Sequence, residues 1–282
     1  TLSNTSEEIF NSMQSIIKKP RKPLFLYLHF SDLQMPCLPP EPYNASRATA
    51  EEKSIIETIY QQKLLPKFNI KSQNIPIALY DGTVSYVDHW IERTIKHLDS
   101  IGITRDNSIF IITADRGQEI FDKHSQYASG SDVGRSLYAE QIQVPLMILM
   151  PGTSGKAIAD PIELVDVPTT LLDVLKISWG KGVKTDGRSL LPLINHDKKI
   201  KRVVYSGGSH GRGAIIDGRW KYIESPKETR GVGVAFNSAA PADTAVLVEL
   251  YNLKSDPGEK RNLAEKMPDV VSRMKSVLEA KR

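Results

Sequence analysis

Apolar runs alternate with amphipathic stretches through most of the chain. Three runs are continuously apolar and lie between turn residues: LFLYLHF (24–30), IFIITA (109–114) and VPLMILMPG (144–152). Such runs are typical of strands buried on both faces, as in a parallel sheet. Apolar residues at helical spacing predict helices over 6–18, 47–65, 76–101 and 163–175. Strands that alternate with helices predict an α/β fold with a mainly parallel sheet flanked by helices.

The pattern changes after residue 200. Shorter strand candidates follow one another with turns between them: RVVYSGG, GAIIDGRWKYIES and AVLVELYNL. The Asp217-Gly218 pair between two of these strands predicts a hairpin. A helix over 268–280 closes the chain, with apolar residues on one face. The sequence therefore predicts two domains, an α/β core over 1–200 and a small antiparallel sheet with a closing helix over 201–282.

Composition excludes several classes of protein. The chain is 40% hydrophobic and 25% charged, which is ordinary for a globular protein. Its net charge of +4 is small, and its basic residues form only short runs, so we expect no nucleic-acid partner. No apolar run reaches the roughly 18 residues of a membrane span, so we expect no transmembrane segment. Cys37 is the only cysteine, which excludes an internal disulfide.

Polar clusters follow two of the predicted strands, at the strand ends where α/β sheets gather functional groups. Residues 24–30 lead to Ser31, Asp32 and Gln34. Residues 109–114 lead to a longer series: Asp115, Arg116, Gln118, Glu119, Asp122, Lys123 and His124. Asp115 is the best candidate for a metal ligand, since a carboxylate at a strand end suits a hard cation. Capping of the next turn is the alternative for Asp115, and the local sequence leaves both open.

Several motifs occur in an order and spacing that resemble the C-terminal two-thirds of a sulfatase, a family of alkaline-phosphatase-like hydrolases. They cover most of 20–265 and include LFLYLHFSD, the stretch YDGTVSYVDHW through ITADRG, SLYAEQIQVPLMILMPG, DGRSLLPLI, DGRWKYI and ELYNLKSDPGEKRNLA. The resemblance implies a fold with the N-terminal part of the family domain lying upstream of Thr1. The family's formylglycine nucleophile and first metal carboxylates would lie there too.

The resemblance also implies roles for particular residues. Asp115 stands at the position of a metal-binding aspartate, and His124 stands at a catalytic histidine position. Arg116 replaces the histidine or asparagine that completes the metal site, and Gln34 replaces a histidine in the loop after the first strand. Arg116, Lys123 and Gln34 are accordingly predicted to bind an anionic substrate group. Cys37 lies in CLPPE, which ends in Glu41 instead of the arginine of the nucleophile motif, so a structural thiol is expected.

Arg116 admits three interpretations. Arginine offers no lone pair to a metal and stays protonated. Its guanidinium could replace the cation by pairing with Asp115 and neighbouring carboxylates, which is the interpretation that we favour from the sequence. It could instead point to solvent, or it could bind a substrate anion directly.

Two function classes follow. The first is a sulfatase-like protein that resembles sulfuric-ester hydrolases but is catalytically impaired or inactive as this chain, and acts as a binding or scaffold domain with no cofactor. The second is the C-terminal portion of an active metal-dependent sulfate- or phosphate-ester hydrolase, with Ca²⁺ or Mg²⁺ as cofactor. Expected partners are a sulfated or phosphorylated small molecule or glycan, and a protein or the upstream segment. The resemblance favours an exported or periplasmic protein.

Overall fold

The computed structural model describes residues 5–18, 23–34, 37–45, 48–62, 74–120, 136–196, 201–208, 211–225 and 247–282. The chain forms two compact units. The first comprises residues 1–133 and 144–153, and the second comprises residues 134–143 and 154–282. The domain boundary predicted at residue 200 stays a prediction.

Helices dominate the first unit. They are α1 (Thr5–Ile16), α2 (Ala50–Gln62) and the 27-residue α3 (Asn74–Ser100), together with a short 3₁₀ turn at Tyr43–Ala45. The main core cluster lies between α1 and α3 and contains Phe10, Met13, Ile17, Tyr86, Trp90 and Leu98. Ile16, predicted on the apolar face of α1, is instead 80% exposed, because it is the last residue of the helix and lies at the margin of the face that Phe10 and Met13 form.

Gly82 fixes the contact between α3 and the 3₁₀ turn. A Cβ atom at this position would lie 2.2 Å from the backbone carbonyl oxygen of Tyr43 and 3.2 Å from Pro39. A side chain is therefore excluded on steric grounds, and the glycine lets the proline-rich loop approach the helix closely.

The first unit contains a two-stranded sheet. Strand β1 (Phe110–Thr113) pairs with β2 (Leu146–Leu149), and Phe110 faces Leu149 in the register. The two strands run antiparallel, so the parallel pairing predicted for this sheet is not formed between them. Their connection, residues 114–145, is long enough to return the chain in either direction, and an apolar run carries no information about strand direction.

The predicted strand over 24–30 is extended but belongs to no sheet among the described residues. Leu26 and Leu28 pack against the main core cluster. Phe25 and Tyr27 are 79% and 75% exposed. Burial on both faces was therefore a wrong prediction for this segment, because alternate side chains point to opposite sides and only one side meets the core.

The second unit contains a four-stranded antiparallel sheet in the order β3 (Val203–Gly207), β4 (Gly213–Asp217), β5 (Trp220–Ser225) and β6 (Leu247–Asn252). The predicted hairpin is confirmed: Asp217 pairs with Trp220, and Gly218 has a positive φ of 59°. The helix α7 (Pro268–Glu279) closes the unit and contributes Met274 and Leu278 to its core. The mixed α/β class and the C-terminal sheet with its closing helix are thus confirmed.

Three shorter helices complete the second unit: α4 (Ala139–Ile142), α5 (Asp166–Val174) and α6 (Leu191–His196). Asp166 anchors the start of α5, because its carboxylate accepts hydrogen bonds from the backbone N–H groups of Glu163 and Arg188 at 2.9 and 2.8 Å. Arg202 forms buried ion pairs with Asp166 and Glu163. No helix among the described residues is long and apolar enough to span a membrane.

Candidate functional site

The residues after β1 form the centre of the candidate site. Asp115 is exposed and Arg116 is half-buried. The Nη1 atom of Arg116 donates hydrogen bonds to the side-chain oxygen of Gln118 at 2.9 Å and to the carbonyl oxygen of Gly117 at 3.2 Å. These two bonds turn the guanidinium forward along its own loop. The Nε and Nη2 atoms have no hydrogen-bond acceptor among the described residues.

Arg116 and Asp115 form no ion pair within the described part of the chain. The interpretation favoured from the sequence, in which the guanidinium neutralises Asp115, therefore lacks its main contact. Asp115 lies at a bend after β1 and is exposed, whereas the half-buried Arg116 side chain turns forward to Gln118.

Cys37 lies in the same region of the first unit. Its side chain is buried, with Sγ donating to the carbonyl oxygen of Leu33 at 3.6 Å. Burial raises the pKa of the thiol to about 11, although hydrogen bonding with Thr83 and the charge of Arg116 lower it. Burial also raises the pKa of Tyr80, which feels the charges of Cys37 and Arg116 as well. Arg116 is thus close enough to Cys37 and Tyr80 for its charge to act on both groups, and Thr83 of α3 hydrogen-bonds with the thiol.

The burial of Cys37 agrees with the structural role expected for it, because a buried thiol that stays protonated is a poor nucleophile. We expect iodoacetamide at pH 8 to label Cys37 about a hundredfold more slowly in the folded protein than in urea, since only the thiolate reacts. Mass spectrometry of time points gives both rates. Equal rates in the two states would contradict the burial of this side chain.

Asp32 has a structural partner that removes it from the candidate site. Its Oδ2 atom accepts hydrogen bonds from the Thr5 hydroxyl at 2.6 Å, the Ser6 backbone N–H at 2.9 Å and the Ser6 hydroxyl at 2.5 Å. The carboxylate therefore caps the first turn of α1, where orphan N–H groups and the helix dipole favour a negative charge. Gln34 follows in a tight turn, with an exposed side chain.

The remaining predicted residues, Lys123 and His124, lie outside the described residues, as does Asp122. Their predicted roles in anion binding and catalysis stay predictions.

Among the described residues, no complete set of ligands for a divalent cation is present. No cluster of three or more histidine, cysteine, aspartate or glutamate side chains suited to a metal occurs in the described residues. Asp32 is engaged at α1, Asp115 is exposed, and the positive charge of Arg116 is next in sequence. Divalent cations such as Ca²⁺ need several oxygen ligands, so Asp115 alone provides too few.

The sequence did not predict that two residues of α3, Tyr80 and Thr83, lie near Cys37. Both lie on α3 at positions where an apolar helical pattern gives no sign of a nearby cationic group. Lys221, in the DGRWKYI motif, is buried inside the second unit, where its Nζ atom lies 2.7 Å from the carboxylate of Glu259.

Comparison with known proteins assigns the chain to a family. The sulfatase family model matches residues 3–177. Arylsulfatase K of Bos taurus is 27% identical over 227 residues, which cover 76% of this chain and 38% of that protein. N-acetylgalactosamine-6-O-sulfatase of Bacteroides thetaiotaomicron is 23% identical over 278 residues, which cover 94% and 48%.

A solved structure supports the fold. The phosphonate monoester hydrolase of Agrobacterium radiobacter superposes with a TM-score of 0.68 at 19% identity, covering 98% of this chain and 60% of that one. The chain spans less than half the length of the two curated relatives above. The match over 3–177 accounts for more than half of the residues, and the chain therefore belongs to the sulfatase family.

Proposed function

We propose that this chain is a sulfatase-like domain that does not hydrolyse sulfate esters by itself and instead binds an anionic ligand. The observation that carries the proposal is the position of Arg116: half-buried, held by Gln118, and with Nε and Nη2 free of acceptors among the described residues. A planar guanidinium with two adjacent free donors matches two oxygens of a sulfate or phosphate group.

The positive charge of Arg116 also disfavours binding of the divalent cation on which the family's hydrolysis depends. At an effective dielectric constant of about 20, two unit charges about 4 Å apart interact by roughly 4 kcal/mol. The interaction is repulsive for a cation beside Arg116, and a divalent ion would feel more of it. Binding without hydrolysis is the function that remains for the described residues.

The ligand class follows from the same chemistry. A sulfated sugar is the first candidate, because one curated relative is named as an N-acetylgalactosamine-6-O-sulfatase. A phosphorylated small molecule has the same arrangement of oxygens and is the second candidate. Gln34 is exposed and suits a hydroxyl or ring oxygen of such a ligand.

Calorimetric titration tests the proposal. We expect N-acetylgalactosamine 6-sulfate to bind the intact chain, and Arg116→Gln to weaken binding about tenfold, equivalent to about 1.4 kcal/mol. Arg105→Gln is the matched control, because Arg105 is exposed in the turn before β1 and its loss should leave the dissociation constant unchanged. Titration with CaCl₂ or MgCl₂ should show no sub-micromolar binding.

Two results would refute this proposal. One is sub-micromolar Ca²⁺ or Mg²⁺ binding that Asp115→Asn abolishes. The other is turnover of an aryl sulfate or aryl phosphate by the purified polypeptide, measured as release of nitrophenol.

The second candidate function is the C-terminal portion of an active sulfate- or phosphate-ester hydrolase. The observation that favours it is length: the chain spans 38% and 48% of the two curated relatives. An upstream region would then supply the nucleophile and the other carboxylates, with Ca²⁺ or Mg²⁺ as the cofactor. Sequencing the reading frame upstream of Thr1 tests it, because a C/S-x-P-x-R motif preceded by paired aspartates is required. Export or a periplasmic location belongs to the same proposal.

A further inference from the structure

The loop after α5, residues 175–185, combines apolar and basic side chains. Its sequence is LKISWGKGVKT, which contains three lysines and no acidic residue. Each of its residues is exposed. Four large apolar side chains are among them: Leu175 at 50%, Ile177 at 53%, Trp179 at 37% and Val183 at 54%. Apolar side chains that lie this close together on a protein surface indicate an interaction site.

The loop begins with a backbone conformation that favours glycine but is occupied by a lysine. The N–H of Lys176 donates to the carbonyl oxygen of Asp173 at 3.1 Å, and the N–H of Ile177 donates to that of Leu172 at 2.9 Å. This pair of bonds is the Schellman motif, in which the first residue after the helix is left-handed and is usually glycine. Lys176 has a φ of 54° at that position. The helix dipole stabilises an exposed cation by less than the left-handed conformation costs a residue with a Cβ atom, so the backbone alone does not account for the lysine.

Both ends of the loop are fixed to the second unit. Beyond the bonds at the end of α5, the Thr185 hydroxyl lies 3.4 Å from that of Thr169 and accepts a hydrogen bond from the N–H of Gly187 at 3.1 Å. Between the two ends, the N–H of Val183 donates to the carbonyl oxygen of Gly180 at 3.0 Å and closes a turn. These bonds hold the side chains of the loop in place, so less conformational freedom is lost when a partner binds.

We propose that the 175–185 loop docks on the surface of a bilayer that contains anionic phospholipids. The lysine ammonium groups match the negative headgroups, while the lysine stems lie along the apolar boundary. Trp179 suits the headgroup level, where amphipathic rings are enriched. This surface lies in the second unit and does not depend on the anion binding proposed for Arg116 in the first.

The exposed aliphatic side chains favour a lipid surface over a sulfated glycan. A glycan would match the lysines and could stack on Trp179, but it is hydrated and offers no apolar medium to Leu175, Ile177 and Val183. Insertion into the boundary of a bilayer removes the apolar surface of these three side chains from water, which is favourable in proportion to the area buried.

Co-sedimentation with lipid vesicles tests the contribution of the lysines. We expect the intact chain to bind vesicles of phosphatidylcholine mixed with phosphatidylglycerol, and to bind phosphatidylcholine alone much more weakly. The double variant Lys181→Gln with Lys184→Gln should lower the partition coefficient about twentyfold, since each lysine near an anionic surface contributes about fivefold. Lys266→Gln with Lys275→Gln is the matched control, because it removes the same charge from exposed positions elsewhere in the second unit. The control should change the coefficient less than about threefold.

Tryptophan fluorescence tests insertion of the apolar side chains. The chain has three tryptophans, and Trp90 and Trp220 are buried, so a change in emission on vesicle binding reports on Trp179. We expect the mixed vesicles to shift the emission to shorter wavelength and brominated phosphatidylcholine to quench it. Trp179→Ala should abolish both effects and weaken binding several-fold. Circular dichroism verifies that every variant folds.

Three results would overturn the inference. Equal losses in the two double lysine variants would show attraction by net charge alone. Vesicle binding without a shift of the Trp179 emission would show that the apolar side chains stay in water. Retention on heparin that depends on Lys181 and Lys184, without binding to the mixed vesicles, would make the loop a surface for acidic glycans, and no binding to either would leave it without the assigned partner.

Discussion

Replacing Glu259 by glutamine is expected to lower the free energy of unfolding of the second unit by about 3 kcal/mol. Lys221 and Glu259 are 1% and 2% exposed, and their side chains meet at 2.7 Å. Removing one partner of a buried pair leaves an uncompensated charge, which typically costs about 3 to 5 kcal/mol. We expect the lower value because Glu249 and Glu140 also act on the Lys221 charge. Urea titration followed by circular dichroism measures the difference.

The pH dependence of this loss has a definite sign. Burial lowers the pKa of Lys221, and Glu259 opposes that effect, so the variant should depress the lysine pKa further. The unfolded chain then binds more protons than the folded one between the lowered pKa and the ordinary value near 10.4. Stability of the variant consequently rises with pH across that window, and the loss measured at pH 7 should shrink toward pH 10.

Two further variants make the Glu259 result decisive. Glu265→Gln changes an exposed carboxylate nearby and should stay within about 0.5 kcal/mol of the parent. The double variant Lys221→Met with Glu259→Leu removes both charges and should recover most of the loss, as buried pairs replaced by apolar residues often do. A single-variant loss below about 1 kcal/mol would contradict the assigned pairing.

Trp90→Ala is expected to destabilise the first unit by about 3 to 5 kcal/mol. Trp90 is 6% exposed at the centre of the aromatic cluster on α3. Its ring centroid lies 5.2 Å from that of Phe10 on α1 and 6.2 Å from that of Tyr86, and the Arg93 guanidinium lies 4.7 Å above it. The substitution leaves a cavity where α1, α3 and the segment 24–30 converge. Thermal unfolding followed by circular dichroism should show the loss.

Trp179→Ala is the control for this experiment. Trp179 is 37% exposed, so its replacement measures how much stability is lost with a tryptophan side chain when no cavity forms in the core. We expect a change within about 0.5 kcal/mol. Similar losses at the two positions would show that Trp90 does not organise the core of the first unit.

The sequence predicted the elements well where one helix face or one hairpin decides the structure. The helix predicted over 76–101 spans Asn74–Ser100, and the closing helix predicted over 268–280 spans Pro268–Glu279. In both helices apolar residues recur at helical spacing, so the local pattern predicts both the helix and the face that is buried. The hairpin at Asp217-Gly218 follows from turn chemistry in the same way.

Tertiary contacts account for what the sequence did not predict. Asp32 caps a helix that begins 27 residues earlier at Thr5, and no local pattern connects the two. The direction of the Arg116 side chain depends on its bond to Gln118 rather than on its neighbour Asp115. The exposure of Phe25 depends on which side of the segment meets the core cluster, which the apolar pattern of 24–30 does not reveal.

The route of the chain through its two units limits how the protein can be divided. Residues 134–143 belong to the second unit although residues on both sides of them belong to the first. Within that excursion, the Tyr138 hydroxyl donates to Glu249 at 2.8 Å, and the Ala139 N–H donates to Glu259 at 3.2 Å. A protease cut or a gene truncation at residue 153 would therefore remove α4 from the sheet that it covers. Each unit is built from two separate stretches of the chain. Neither unit can therefore be expressed by itself as one continuous piece of the sequence.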